Sequence, residues 1–201
     1  NRGCKCGMRI LITGFEPFRN DDLNSSWETA ACFKRQSVDD IQISVRRLPV
    51  SFVRAGEMVR ELLADHKPDV LLMLGQRGKG QSIDIERIAV NIMDSTKCDN
   101  DGYMPSELPI VEGGTPAYFS NMQLKVMRDA VLDAGIPAKI SNSAGLYVCN
   151  SSYYYALKEI SEKNLRTKAV FVHLPKISQE FSLQLLEDSV RVIIETIKNN
   201  R

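Results

Sequence analysis

Five cysteines and two histidines stand in a chain of 201 residues, few enough to test each for nucleophilic chemistry. Cys149 falls in Ile140-Ser141-Asn142-Ser143-Ala144-Gly145-Leu146-Tyr147-Val148-Cys149-Asn150. Ser143, Ala144 and Gly145 are small enough for a sharp backbone turn. Beyond them Tyr153, Ala156, Leu157 and Ile160 recur at helical spacing. Cys149 is therefore expected at or just before the first turn of a helix. There the unpaired N–H groups and the helix dipole favour a thiolate, and they can receive an oxyanion during acyl transfer. The competing reading is a small buried hydrophobe that only packs.

A thiol nucleophile needs a base. His66, in the charged connection Ala64-Asp65-His66-Lys67-Pro68, reads as a solvated surface residue. His173 ends the apolar run Lys168–His173 and precedes Leu174-Pro175, at the strand end where ligands of parallel α/β sheets sit. A satisfied core histidine is its alternative. A third group must orient the imidazole. Glu86 interrupts the apolar character of Ile83–Met93, and a carboxylate inside a sheet is costly unless paired. Glu86 either accepts the second ring N–H of His173 or forms a plain surface pair with Arg87.

The elements that must position these groups alternate in type. Met8–Thr13, Asp69–Leu74 and Lys168–His173 are continuous apolar runs, as in strands covered on both faces. Ile41–Arg46 alternates and predicts a half-buried strand, Ile83–Met93 is β-rich, and Pro137–Ile140 reads as a short strand. Ser25-Ser26-Trp27-Glu28 has capping-box form and predicts a helix to about Arg35. Phe52–Leu63 carries one apolar stripe. Ser120 and Gln123 are expected to cap a helix ended by Gly135, and the last helix carries Leu183 to Ile197. The expected architecture is α/β, a single-domain α/β/α sandwich with a largely parallel, twisted central sheet. A flexible N-terminal tail over residues 1–7 precedes one domain over residues 8–201, with Met8 as its natural start.

Composition narrows the functions. With 43% hydrophobic residues, 25% charged residues and net charge +1, nothing global draws the chain to nucleic acid or an anionic membrane. No apolar run reaches the ~18–20 residues of a membrane span. Asn1–Gly7 lacks the apolar stretch of a secretory leader, so the cytoplasm is expected, and the odd cysteine count predicts reduced thiols. Cys4-Lys5-Cys6 could hold a soft metal, but no second Cys/His pair at finger spacing accompanies it, so a solvated tail and no metal site is expected. Gly75-Gln76-Arg77-Gly78-Lys79-Gly80 fits neither the Rossmann nor the Walker pattern and reads as a turn. Asp99-Asn100-Asp101-Gly102, a fragment of a calcium loop without its remaining ligands, also reads as a turn. Phe15 and Phe18, around Pro17, either line an apolar pocket or pack in the core.

Four motifs in order resemble the type I pyroglutamyl peptidases (pyrrolidone-carboxylate peptidases), a family of cysteine peptidases. They are Ile12-Thr13-Gly14-Phe15-Glu16-Pro17-Phe18, Glu86-Arg87-Ile88-Ala89-Val90-Asn91, Ser143-Ala144-Gly145-Leu146-Tyr147-Val148-Cys149-Asn150 and Val172-His173-Leu174-Pro175. The resemblance implies a Cys149–His173–Glu86 triad and release of N-terminal 5-oxoproline from peptides. It also implies a cytosolic homotetramer without cofactor. Phe15, Phe18, Tyr147 and Val148 would line the lactam pocket, and the Gln76 backbone would bond the lactam. The chain departs from the family pattern at Gly78-Lys79-Gly80 and at Ser95-Thr96-Lys97-Cys98. There Thr96 replaces the arginine expected near the reacting carbonyl, and Lys97 replaces an apolar pocket residue. Two other classes stay open: a small-anion binder using Arg77, Lys79 and Lys97, and a thiol redox sensor using Cys149 and Cys98.

Overall fold

The structure, a computed structural model, describes residues 7–36 and 40–200. The Cys4–Cys6 pair and all of the expected tail but Gly7 lie outside the described residues. In chain order the elements are β1 (Arg9–Phe15), α1 (Ser25–Cys32), β2 (Gln42–Leu48), α2 (Arg54–His66), β3 (Val70–Arg77), β4 (Ile83–Glu86), β5 (Ile88–Val90) and β6 (Ala117–Phe119). They continue with α3 (Leu124–Asp133), β7 (Ala138–Ser141), α4 (Val148–Glu162), β8 (Lys168–Pro175) and α5 (Leu183–Asn199). A 3-10 turn, Phe33–Arg35, follows α1.

Six strands form one sheet in the order β2-β1-β3-β8-β4-β7. All neighbours run parallel except β4 and β8, which are antiparallel. The uniformly apolar runs of β3 and β8 therefore sit at the centre, covered on both faces, as their sequences require. On one face Ile12, Leu72, Val170 and Val172 pack under α1, α3 and α5. On the other, Leu11, Leu71, Met73, Ala169 and Phe171 pack under α2 and α4. This is the three-layer sandwich expected from the alternation of elements.

Several local expectations are corrected. Asn24, not Ser25, caps α1: its side chain accepts the Ser26 N–H, and the Ser26 hydroxyl donates to it at 2.6 Å. Gln123 precedes α3 without a side-chain capping bond, and the Ser120 hydroxyl instead donates to the Ala169 carbonyl. Ile83–Met93 divides: β4 joins the main sheet, while β5 pairs with β6 in a separate two-stranded ribbon beside α4. Gly75, Gln76 and Arg77 are the last residues of β3, since pairing with β8 continues to Arg77 opposite Pro175. That extension places residues read as a turn on the sheet, with defined faces.

Candidate active site

Strand register puts six residues on one face of the sheet. Gly75 pairs with His173, and His173 pairs with Asp84 on its other side. Arg77, Phe171 and Glu86 each stand two residues from a member of that row, so all share its face. That face looks toward α4. A Cβ built on Gly75 would lie 2.7 Å from the Phe171 ring and 3.0 Å from Cys149 Sγ. Only glycine allows the sulfur to rest against β3 beside His173.

Cys149 is the second residue of α4. The turn before it is fixed at both ends. Gly145 takes a left-handed φ of 78°, which favours glycine. The Tyr147 hydroxyl donates to the Cys98 carbonyl at 3.0 Å. Asn150, wholly buried, grips β5: its amide donates to the Val90 carbonyl at 2.9 Å and its oxygen accepts the Val90 N–H at 2.9 Å. The first N–H groups of a helix have no partner within it, and Cys149 carries one of them. Its side chain remains partly accessible from the cleft, yet protein surrounds the sulfur. That desolvation, reinforced by the charge of Glu86 and only partly opposed by Arg77, pushes the thiol up to about 12. Burial thus opposes the stabilisation of a thiolate expected at the helix start.

His173 and Glu86 are both buried, at 4% and 0% exposure, and His173 Nδ1 lies 2.7 Å from Glu86 Oε1. A carboxylate can only accept, so Nδ1 carries the proton and Nε2 is left as an acceptor. This disposes of the Glu86–Arg87 pair, because exposed Arg87 bonds Asn142 instead, at 2.8 Å. Glu86 meets a different arginine. Arg77 Nη2 lies 2.9 Å from the same Oε1, and its Nη1 lies 3.2 Å from Asp84 Oδ2. Arg77 and Asp84 were not expected in these roles. The readable signal was Ile83-Asp84-Ile85-Glu86, where two carboxylates on one face of a buried strand require a cation.

A cleft of about 570 Å³ opens beside Cys149. Phe15, Phe18, Gln76, Thr96, Lys97, Tyr147 and Val148 all line it, so every residue expected in a pocket is brought to one place. Phe18 and Phe52 each meet the Tyr147 ring edge-on, with centroids 5.6 and 5.0 Å away. Residues 99–101 form a turn and not an ion site: Asp99 accepts the N–H groups of Phe52, Asp101 and Tyr103. His66 ends α2, outside the cleft, and Arg77 is committed to carboxylates, which removes it from an anion-binding set. Among the described residues no group of three or more His, Cys, Asp or Glu is arranged to hold a metal ion. No helix there is long and apolar enough to cross a membrane.

An α/β sandwich that sets a thiol beside an imidazole at the carboxyl ends of its central strands is the frame of a cysteine peptidase. Residues 8–198 match the pyroglutamyl peptidase family, and the chain belongs to that family. It is 40% identical over 200 residues to the pyrrolidone-carboxylate peptidase of Thermococcus onnurineus, covering 94% of this chain and 98% of that one. The counterpart from Thermosipho africanus is 41% identical over 86% of this chain and 84% of its own. A mutant pyrrolidone carboxyl peptidase from Pyrococcus furiosus superposes with a TM-score of 0.91 at 34% identity, covering 96% and 99% of the two chains. The pyroglutamyl peptidase I of Bacillus amyloliquefaciens gives 0.89 at 29% identity, covering 94% and 96%. The chain is a pyroglutamyl peptidase, a hydrolase of the cysteine peptidase class.

Proposed function

We propose that Cys149, His173 and Glu86 carry the pyroglutamyl peptidase reaction, with Cys149 as nucleophile, His173 as base and Glu86 as the group that orients it. The observation that supports this most is the buried His173–Glu86 bond of 2.7 Å on the row that also holds the Cys149 sulfur. Because burial raises the pKa of the thiol, loss of its proton belongs to the attack step. His173 Nε2 takes the Sγ proton as sulfur adds to the carbonyl joining 5-oxoproline to the next residue. The N–H of Cys149 stabilises the oxyanion, the imidazolium protonates the leaving amine, and water then releases pyroglutamate from the thioester. Phe15, Phe18, Tyr147 and Val148 supply apolar walls for the lactam body, and the Gln76 backbone supplies a polar partner. Thr96 and Lys97 stand at the same cleft and modulate it. In this reading the enzyme acts in the cytoplasm as a homo-oligomer, a tetramer by family likeness.

Hydrolysis of a pyroglutamyl coumarin amide tests the assignment. Cys149→Ala should abolish turnover, and Glu86→Gln should lower kcat on the order of 10³-fold or more while the fold survives, as expected for loss of an orienting carboxylate. Full activity in Cys149→Ala would end the reading, and wild-type kcat in Glu86→Gln would return Glu86 to a structural role.

A further inference from the structure

We propose that Arg77 is a positioning residue that sets the proton affinity of His173 by sharing the one Glu86 oxygen on which the imidazole depends. This goes beyond the triad and rests on it. Glu86 Oε1 receives both His173 Nδ1 at 2.7 Å and Arg77 Nη2 at 2.9 Å, while Oε2 is buried with no hydrogen-bond partner. The two donors therefore share one oxygen, and the bond to Arg77 draws charge from the oxygen that His173 relies on. Arg77 Nη2 also stands 3.3 Å from Nδ1 itself. Nδ1 already directs its proton at Glu86, so that approach is a charge contact and not a hydrogen bond. It becomes repulsive once the imidazole is protonated.

The guanidinium is held there from three sides. Nη1 lies 3.2 Å from Asp84 Oδ2, Nη2 lies 2.9 Å from Glu86 Oε1, and Nη2 also donates to the Ser143 carbonyl at 3.0 Å. The last bond ties it to the turn that delivers Cys149. A planar fork can serve several acceptors at once; an ammonium on a flexible stem cannot hold the same set. Asp84 and Glu86 are 1% and 0% exposed, and buried carboxylates on one strand face call for a paired cation. The other groups facing this cluster leave the role to Arg77. Lys139 reaches only Asp84, at 3.7 Å, and Ser82 donates to Asp84. Tyr153 donates to the Glu86 backbone carbonyl and not its carboxylate. Lys176, beyond the end of β8, pairs with Asp21. Cys149, on α4, is a thiol whose ionisation burial disfavours.

Arg77 thus withdraws part of the Glu86 charge from the imidazole and adds a like charge beside it. Both effects disfavour the imidazolium relative to the same site without Arg77. Because only two histidines exist, the His173 ring signal can be followed by NMR titration whether or not the enzyme turns over. Arg77→Met should raise the His173 midpoint by about one pH unit, a modest response to removing a charge within ~4–6 Å. The acid limb of kcat/KM should move up with it. Arg77→Lys, which keeps the charge near the two carboxylates but withdraws the fork from Nδ1, should shift the midpoint less. If Arg77→Met does not fold, the Arg77→Lys shift decides. An unmoved midpoint in the variant that folds, even with lowered stability, would overturn the proposal and leave Arg77 a structural counterion. A shifted midpoint in a protein that fails to hydrolyse pyroglutamyl amide would uphold the proposal while sinking the triad assignment.

Discussion

On the proposed assignment of the cleft to a lactam, Lys97 is its least fitting residue. It lines the cleft with Phe18, Tyr147 and Val148, and no ion pair holds its ammonium among the described residues. The turn around it is locked, because Ser95 Oγ donates to the Lys97 carbonyl at 2.7 Å and accepts its N–H at 3.0 Å. The stem must leave the backbone at a fixed point. An ammonium near the lactam loses water without gaining a partner when substrate enters. Lys97 is largely exposed, so the cost falls well short of the full burial penalty. Lys97→Ile should therefore lower KM several-fold at nearly constant kcat. A fall in kcat would show instead that the ammonium assists the oxyanion in place of the arginine that the family resemblance implies at position 96, and Thr96→Arg would then restore it.

At the scale of elements, the proposed use of the Cys149 thiol depends on how β3 meets α4. Gly75 leaves room for Cys149 Sγ and for the Phe171 ring, and a methyl group there would stand 3.0 and 2.7 Å from them. Phe171 is wholly buried against Tyr153 and Phe15 and cannot retreat. Gly75→Ala should push the sulfur away from β3 and cost roughly 10²-fold in kcat, the scale of an ångström's misplacement of a reacting atom. Overpacking of about 1–3 kcal/mol should accompany it in urea melts. Unchanged kcat with lowered stability would show that α4 carries the thiol along.

Cys149, His173 and Glu86 stand out in the sequence because each breaks a local pattern: a thiol at a helix start, and polar groups on apolar strands. Arg77 was hidden because Gly75, Gly78 and Gly80 punctuate its surroundings like a turn. What keeps β3 extended is its pairing with β8, a long-range fact that no window of residues contains. The ribbon strand β6 was missed for a similar reason. Three residues give no periodicity, and its place is set by Tyr118 against the Tyr154 ring, 5.1 Å away. Asn24 and Ser25 differ by one position as caps, and only the tertiary setting around Ser26, whose hydroxyl accepts the Phe15 N–H, decides between them.

At the scale of the whole molecule, the cleft is closed by chain segments far apart in sequence. The loop after β1 supplies Phe18, the segment after β2 supplies Val50, and the loop before residue 100 supplies Thr96 and Lys97. Two devices fasten the last of these. One is the Arg54–Asp101 pair, with contacts of 2.7 and 2.8 Å, which together with Ser51 holds the Asp101 carboxyl down to about 2. A carboxyl lowered on folding stabilises the fold above its ordinary value near 4, and that contribution is lost as pH falls toward 2. The stability difference between wild type and Arg54→Ala should accordingly be constant above about pH 4 and vanish toward pH 2. It should be small, because the pair is solvent-exposed.

The other device is Asn100. Its amide donates to Glu16 Oε1 at 3.1 Å and to the Pro17 carbonyl at 3.0 Å, and its oxygen accepts the Arg19 N–H at 3.1 Å. Its own N–H donates to the Val50 carbonyl at 2.9 Å. One side chain thus ties the wall bearing Phe18 to the wall bearing Thr96 and Lys97. Asn100→Ala removes the three side-chain bonds and leaves the backbone bond, so the loops separate without unfolding. Each bond is worth about 1 kcal/mol net where buried and less at this exposed site, so the pocket should lose about 1–2 kcal/mol of preorganisation. None of these bonds touches Cys149, His173 or Glu86. The loss should therefore appear as a roughly tenfold rise in KM, with kcat held within about twofold. Steady-state kinetics on a pyroglutamyl amide separates the two quantities. A fall in kcat at constant KM would mean that these loops aim the scissile carbonyl at the sulfur and do not merely enclose the lactam.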